Sequence, residues 1–345
     1  MSELRLATDW SYRGLRAIVL ENRFLRLIIL AEAGAKIWQI TYKPHDADLL
    51  WNNPRIAPSR LPIHSRYDDL WSGGWDELFP NDEIATIAGD AYPDHGELWT
   101  GEWQADPFES DTEVGVTLRF TTPISAIHIE KTILLRRGES RVYFSHVFTN
   151  TGNSTFPFLW KLHPAMAVTP HHRIDFPAMK VVLEPAFPGT LEGAPQQNTW
   201  PSVRVDRREV DLRRIPPAEQ RQLYFFYGTD MKAGWCALTN AETGLACGLK
   251  FDQSVFPCAW LFASYGGWRN YNVAVLEPCT GYPLNFEAMQ KGRRHKELPP
   301  GGSLMTEVLF TVQEGVRAVG SINANGTVVE TAEKEQLSLE RGSIG

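Results

Sequence analysis

Two runs of alternating apolar and polar residues, rich in Ile, Val, Phe and Thr, flank the turn RRGES in IHIEKTILLRRGESRVYFSHVFTN. Successive side chains of an extended chain point to opposite faces, so this alternation marks strands with one buried face. The pattern predicts a long antiparallel hairpin over residues 126–149. Ahead of it, LRAIVLEN, FLRLIIL and AKIWQITY read as a three-stranded meander, with ENR and AEAG as turns and Gly34 supplying a positive φ. Behind it, FPFLWKLHPAMAV, KVVLEP, QLYFFYG, WCALTN, LACGLKF, CAWLFAS, NVAVLEP and SLMTEVLFTV have the length and composition of strands. Helical periodicity is almost absent, and Gly and Pro punctuate the runs. The expected fold is all-β, an antiparallel sandwich or barrel.

Two stretches break the rhythm. Residues 43–108 are loop-rich and carry five Trp, and residues 185–222 are polar and Pro-rich, with a short helix expected near PPAEQRQ. Long loops on a β scaffold often carry function. From about residue 326 the apolar content falls away, so 1–325 is expected to form a single domain and 326–345 a polar tail, surface-lying or mobile. No short internal repeat or dividing linker is visible.

Composition narrows the class. With 345 residues, 43% of them hydrophobic, the chain has enough apolar surface for a sizeable core. A net charge of -7 provides no basic surface for a phosphate backbone, so nucleic acid is not an expected partner. The start, MSELRLATDWSYRGLR, lacks a basic region followed by an apolar run, and no segment approaches about eighteen uninterrupted apolar residues. No membrane association is expected, and the expected location is the cytoplasm. Cys236, Cys247, Cys258 and Cys279 contain no CxxC and read as buried thiols. Twelve Trp suit either a large core or the apolar faces of sugar rings.

Polar groups concentrate among aromatic and apolar residues in three places. The first is GGWDELFPND (73–82) with DAYPDHGELW (90–99). Its acids Asp76, Glu77, Asp82 and Glu97 read as solvated loop carboxylates, whereas His95, between Asp94 and Gly96, is as good a functional candidate as a structural one. The second is LWKLHPAMAV, where Lys161 and His163 share a face. The third is NVAVLEPCTGYP, where Val273, Val275 and Glu277 share one face and Ala274 and Leu276 the other. A carboxylate ending so apolar a strand is costly to bury unless it is bonded or reaches a cavity. Together His163 and Glu277 form an acid–base pair. That pair alone leaves glycosidase, lyase, isomerase and structural roles open. No GxSxG, P-loop, dinucleotide fingerprint or HExxH is present, and the adjacent His171 and His172 read as solvated.

The order of LENRFLRLIILAEAGAKIWQI, DHGELW, LWKLHP and VLEPCTGYP resembles the aldose 1-epimerase (galactose mutarotase-like) superfamily across residues 12–312. The resemblance implies a large antiparallel β-sandwich that interconverts the α and β anomers of a free sugar. It implies that Glu277 takes the proton from the anomeric hydroxyl and His163 gives one to the ring oxygen, with no cofactor or metal, because both steps are proton transfers between oxygens. It further implies that His95 and Asp252 hold sugar hydroxyls, and that Trp75 or Trp268 stacks on the ring.

One departure bears on the substrate. GGWDELFP stands where galactose-active members carry an Arg-containing stretch, and it resembles the hexose-6-phosphate epimerase-like branch. Lys161 and Arg269 are then cations able to meet phosphate, sulfonate or carboxylate, or else salt-bridge and cation–π partners. The expected ligand is a small sugar, neutral or anionic, and oligomeric state is not readable. A non-catalytic carbohydrate-binding sandwich, a polysaccharide lyase or glycosidase, and another sugar isomerase are the competing readings.

Overall fold

The structure is a computed structural model and describes residues 3–187 and 189–331. The hairpin forms as strands Ile127–Arg136 and Arg141–Asn150, in a register that sets Ile129 beside Phe148 and Ile133 beside Phe144. The meander forms as Leu15–Glu21, Leu25–Leu30 and Lys36–Tyr42, and a further strand, Arg5–Tyr12, extends its edge.

Among the described residues the strands assemble into two main antiparallel sheets. The larger runs from Arg5–Tyr12 through the meander to Trp75–Leu78, Lys161–Ala167, Asn272–Cys279, Cys258–Tyr265, Gln222–Thr229 and Lys180–Leu183, and ends in short strands between 197 and 211. The smaller holds His172–Asp175, Trp235–Asn240, Leu245–Phe251, Ser303–Gln313, the hairpin, Glu113–Thr121 and Gln104–Glu109, in that order. One apolar cluster, with members from Leu4 to Val312, lies between them.

FPFLWKLHPAMAV is two strands, not one. Phe156–Phe158 pairs with Lys296–Leu298, and the chain then enters the large sheet as Lys161–Ala167. At the break, Leu159 N–H donates to the Pro80 carbonyl (2.8 Å) and Trp160 N–H to Thr280 Oγ1 (2.8 Å), replacing the ladder bonds. PPAEQRQ contains a single 3₁₀ turn, Ala218–Gln220. Of the expected tail, Val328–Glu330 pairs with Val319–Ile322, and 332–345 lie outside the described residues.

Strand alternation sorts the polar residues of the large sheet by face. In WDEL, Trp75 packs against Phe144 (4.8 Å) and Phe310 of the smaller sheet, and Glu77 meets Lys131 Nζ at 3.1 Å and His146 Nε2 at 3.0 Å. Asp76 therefore points outward, together with Lys161, His163 and Glu277. That outer face is covered by Tyr67, Trp71 and Trp99, which pack on Leu78, Ala165, Val273 and Val275. The loop-rich segment thus forms a third layer, and its acids are not solvated: Asp76, Glu77, Asp82 and Glu97 are all buried. Each has a partner that offsets desolvation; Glu97 accepts from Ile124 N–H (2.7 Å) and Ser125 Oγ–H (2.7 Å). The four cysteines are buried and free, and no helix of the described residues is long and apolar enough to cross a membrane.

Candidate active site

Four neighbouring strands contribute one outward side chain each to a row across the large sheet. His163 stands opposite Asp76, and the pairs Lys161 with Cys279 and Ala165 with Val275 set His163 opposite Glu277. On the far side of Asp76, Lys36 Nζ reaches Asp76 Oδ2 at 2.5 Å and also donates to the Gly73 carbonyl at 2.8 Å. The row reads Lys36, Asp76, His163, Glu277.

Tyr67, from the short helix Tyr67–Leu70, ties the row together: its hydroxyl lies 2.9 Å from Asp76 Oδ2 and 3.1 Å from His163 Nδ1. A phenol has one proton to give, and the carboxylate is the stronger acceptor. Tyr67 thus donates to Asp76 and accepts from His163 Nδ1–H, which leaves Nε2 as the nitrogen facing Glu277, 4.0 Å from Oε2. Burial, followed by the positive charges of Lys161, His95 and Lys36, holds the His163 pKa well below the usual imidazole range.

Lys161 lies on the same face, two residues before His163. Its Nζ is ion-paired with Glu277 Oε2 at 2.7 Å and with Asp82 Oδ2, and lies 4.4 Å from the Trp260 ring centre. Burial pushes the Glu277 pKa up, Lys161 opposes this, Asp82 reinforces it, and the net direction is upward. Burial alone would lower the Lys161 pKa, but Asp82 and Glu277 more than reverse that, leaving a firmly charged ammonium.

His95 enters from the loop layer, with Nδ1 2.8 Å from Asp94 Oδ1 and its ring stacked on Tyr67 at 4.2 Å and 11°. Although burial lowers its pKa, Asp82 and Asp94 carry it above the ordinary value. Its backbone has φ 60°, and Gly96 follows at φ 73°. A Cβ on Gly96 would sit 2.0 Å from the Phe79 carbonyl oxygen, so the His-Gly pair meets a close backbone approach that only glycine permits.

His95, His163, Glu277, Lys161 and Trp268 all line one cavity of about 160 Å³, together with Tyr67, Trp71, Asp82, Asp94 and an apolar wall that includes Phe225, Phe262 and Leu284. Trp268 is half-buried there and packs edge-on against Phe262 (5.4 Å) and Tyr271 (5.4 Å). Three sequence candidates lie elsewhere. Trp75 is on the opposite face of its strand, in the core, and cannot reach a ligand. Asp252 follows a strand of the smaller sheet, accepts from Ser254 N–H and Oγ–H, and borders a separate groove. Arg269 is spent on Asp69 (2.7 Å) and on the Trp268 ring (4.8 Å), outside the cavity. Tyr67 and Lys36 are site residues that the sequence did not single out, and Asp76 and Asp82, read there as solvated loop carboxylates, belong to the site as well. Asp76 lies beside Glu77 in the short strand WDEL and so lacks the isolated-carboxylate signal of Glu277, and Tyr67 carries no signal of its own. Among the described residues, no group of three or more His, Cys, Asp or Glu is placed to hold a metal ion.

No protein-family model matches the chain, and no curated protein matches it by sequence. Solved structures do. The Slr1438 protein of Synechocystis sp. PCC 6803 superposes with a TM-score of 0.66 at 16% identity, over 89% of this chain and 100% of that one. A protein provisionally named an aldose 1-epimerase, from Klebsiella pneumoniae subsp. pneumoniae, gives 0.72 at 13% identity, over 90% of this chain and 83% of its own. A galactose mutarotase-like protein from Clostridium acetobutylicum gives 0.65 at 12%, over 91% and 100%. The fold is the large antiparallel β-sandwich of galactose mutarotase-like proteins.

Proposed function

We propose that this protein is a cofactor-independent mutarotase that interconverts the anomers of a free, uncharged aldose. The observation that carries the reading is the convergence of Glu277, His163 and His95, from three distant segments, on one cavity. In this reading Glu277 takes the proton of the anomeric hydroxyl while His163, protonated at Nε2, gives one to the ring oxygen. The C–O ring bond breaks, the aldehyde forms, and rotation about C1–C2 presents its other face. Closure then returns the ring proton to His163 and the Glu277 proton to the anomeric oxygen. The reactive form holds one exchangeable proton between Glu277 and His163. The Nδ1 link to Tyr67 keeps Nε2 as the exchanging atom in both directions.

His95 offers Nε2 to a sugar hydroxyl, and Trp268 with Phe262 offers an apolar face to the ring. The volume of about 160 Å³ is below the roughly 300 Å³ at which drug-sized pockets begin, which suits one sugar ring better than a polymer. A hexose phosphate, the ligand class of the branch that GGWDELFP resembles, is disfavoured. Lys161, the one Lys or Arg among the described lining residues, is already shared by two carboxylates, while Asp82, Glu83 and Asp94 line the same space.

The test is to add freshly dissolved pure anomers of neutral, phosphorylated and sulfonated aldoses and follow equilibration by NMR. Acceleration for a neutral aldose that disappears in Glu277→Gln is expected; buffer rates for every sugar would sink the reading.

A further inference from the structure

We propose that Lys161 is a positioning residue whose ammonium, held between Glu277 and Asp82, keeps Glu277 charged and aimed at the sugar instead of binding substrate charge. The inference rests on the functional reading above and deepens it. Lys161 projects from the middle of the sheet on the same face as His163, and its side chain is only 3% exposed. Glu277 Oε2 at 2.7 Å, Asp82 Oδ2 and the Trp260 ring occupy its surroundings, so its charge is already matched by two carboxylates before any substrate anion arrives.

Glu277 is surrounded by groups from every neighbouring element. Lys161 and His163 reach it from one adjoining strand, Asp82 and His95 act on it from the loop layer, and Tyr67 feels its charge from the short helix. Cys279, two residues on, lies close enough to Lys161 to interact with it and is itself beside Cys258. Among these, Lys161 is the only permanent cation in contact with the carboxylate. Without it, two buried carboxylates, Glu277 and Asp82, would face one another, and one of them would take up a proton. A protonated Glu277 cannot accept the anomeric proton. Lys161 and Asp82 therefore act on Glu277 with opposite sign, a relationship that a purely structural ion pair does not require.

Titration of the side-chain carboxyl carbons by NMR in ¹³C-Glu-labelled protein reads Glu277 directly, with its signal identified by loss in Glu277→Gln. This measurement needs no turnover, so it stands apart from the mutarotase reading. Lys161→Met is expected to raise the Glu277 midpoint by about one pH unit or more, Lys161→Arg to restore it, and Asp82→Asn to lower it. In the kinetic arm, the acid limb of kcat/KM moves to higher pH with Lys161→Met. Activity below the limb then falls about tenfold for every pH unit the limb moves, and it recovers above the limb. Asp82→Asn preserves the Lys161–Glu277 pair and carries the test if Lys161→Met does not fold. An unmoved midpoint in either variant overturns the proposal. So does a Lys161→Met enzyme whose activity drops equally at all pH values, or whose KM rises only for anionic sugars. Midpoints that move in the expected directions without turnover on any sugar would retire the mutarotase reading and leave the Lys161 assignment standing.

Discussion

The Tyr67 hydroxyl stands 3.1 Å from His163 Nδ1, with the two rings at 90°, and this contact determines which imidazole nitrogen faces Glu277. Because Tyr67 donates onward to Asp76, His163 must donate to Tyr67, and under the proposed mechanism the proton it exchanges with substrate belongs to Nε2.

Tyr67→Phe keeps the ring that stacks on His95 but removes the acceptor for Nδ1–H. A hydrogen bond to a charged group is worth about 1.5–3 kcal/mol. The expected loss is roughly ten- to a hundredfold in kcat, with KM little changed. Steady-state kinetics with a coupled anomer-specific assay check this, and an unchanged kcat would remove Tyr67 from the mechanism.

The rate should describe a narrow bell against pH. Glu277 titrates above its ordinary 4.5 and His163 below its ordinary 6.5, so the one-proton form of the pair is confined between the two. As pH rises the pair loses its proton donor; as pH falls Glu277 ceases to be a base. The maximum of kcat/KM is therefore expected on the acid side of neutrality, and a flat profile from about pH 5 to 9 would contradict the His163–Glu277 assignment.

Glu77 gives a stability prediction separate from catalysis. Burial raises its pKa, but His146 and Lys131 outweigh this and bring it to about 2. Since the folded value lies below the unfolded one, the stabilisation is fully present above about pH 4.5 and lost as pH falls through about 2. It amounts to roughly 3 kcal/mol. Thermal melts of the wild type should fall steeply over that window, whereas Glu77→Gln, already destabilised at neutral pH, should show a smaller drop. Parallel curves for the two proteins would refute the coupling.

Gly96→Ala places a methyl 2.0 Å from the Phe79 carbonyl oxygen at a φ of 73°. The backbone bridge between Phe79 and Gly96 must then open, displacing His95. The expected cost is about 1–3 kcal/mol in stability, with a further loss of activity beyond the unfolded fraction. Urea melts and assays of the same samples separate the two.

Most strands were legible because their residues alternate or form short apolar runs, as in WCALTN and LACGLKF, where predicted and observed limits coincide. The face of Glu277 was equally legible, since Val273 and Val275 share it. FPFLWKLHPAMAV misled because the break at Leu159 is made by partners in distant loops, the Pro80 carbonyl and the Thr280 hydroxyl. Trp75 misled for a different reason: an indole beside Asp76 has the composition of a sugar platform, yet one step along a strand reverses its direction. The loop carboxylates looked solvated because the partners that bury them, Lys36 for Asp76, Lys131 for Glu77, Lys161 for Asp82 and Ser125 for Glu97, lie far away in sequence.

The row Lys36, Asp76, His163, Glu277 has a consequence for folding. Each member comes from a different strand, and those strands are distant along the chain, so no local hairpin assembles even half of the row. Such non-local pairing is completed late and lost cooperatively. Under the proposed mechanism, turnover is thus a readout of the intact sheet: partly folded species with a native-like meander or hairpin should have no residual turnover, and activity should vanish along the same denaturation curve as tertiary structure.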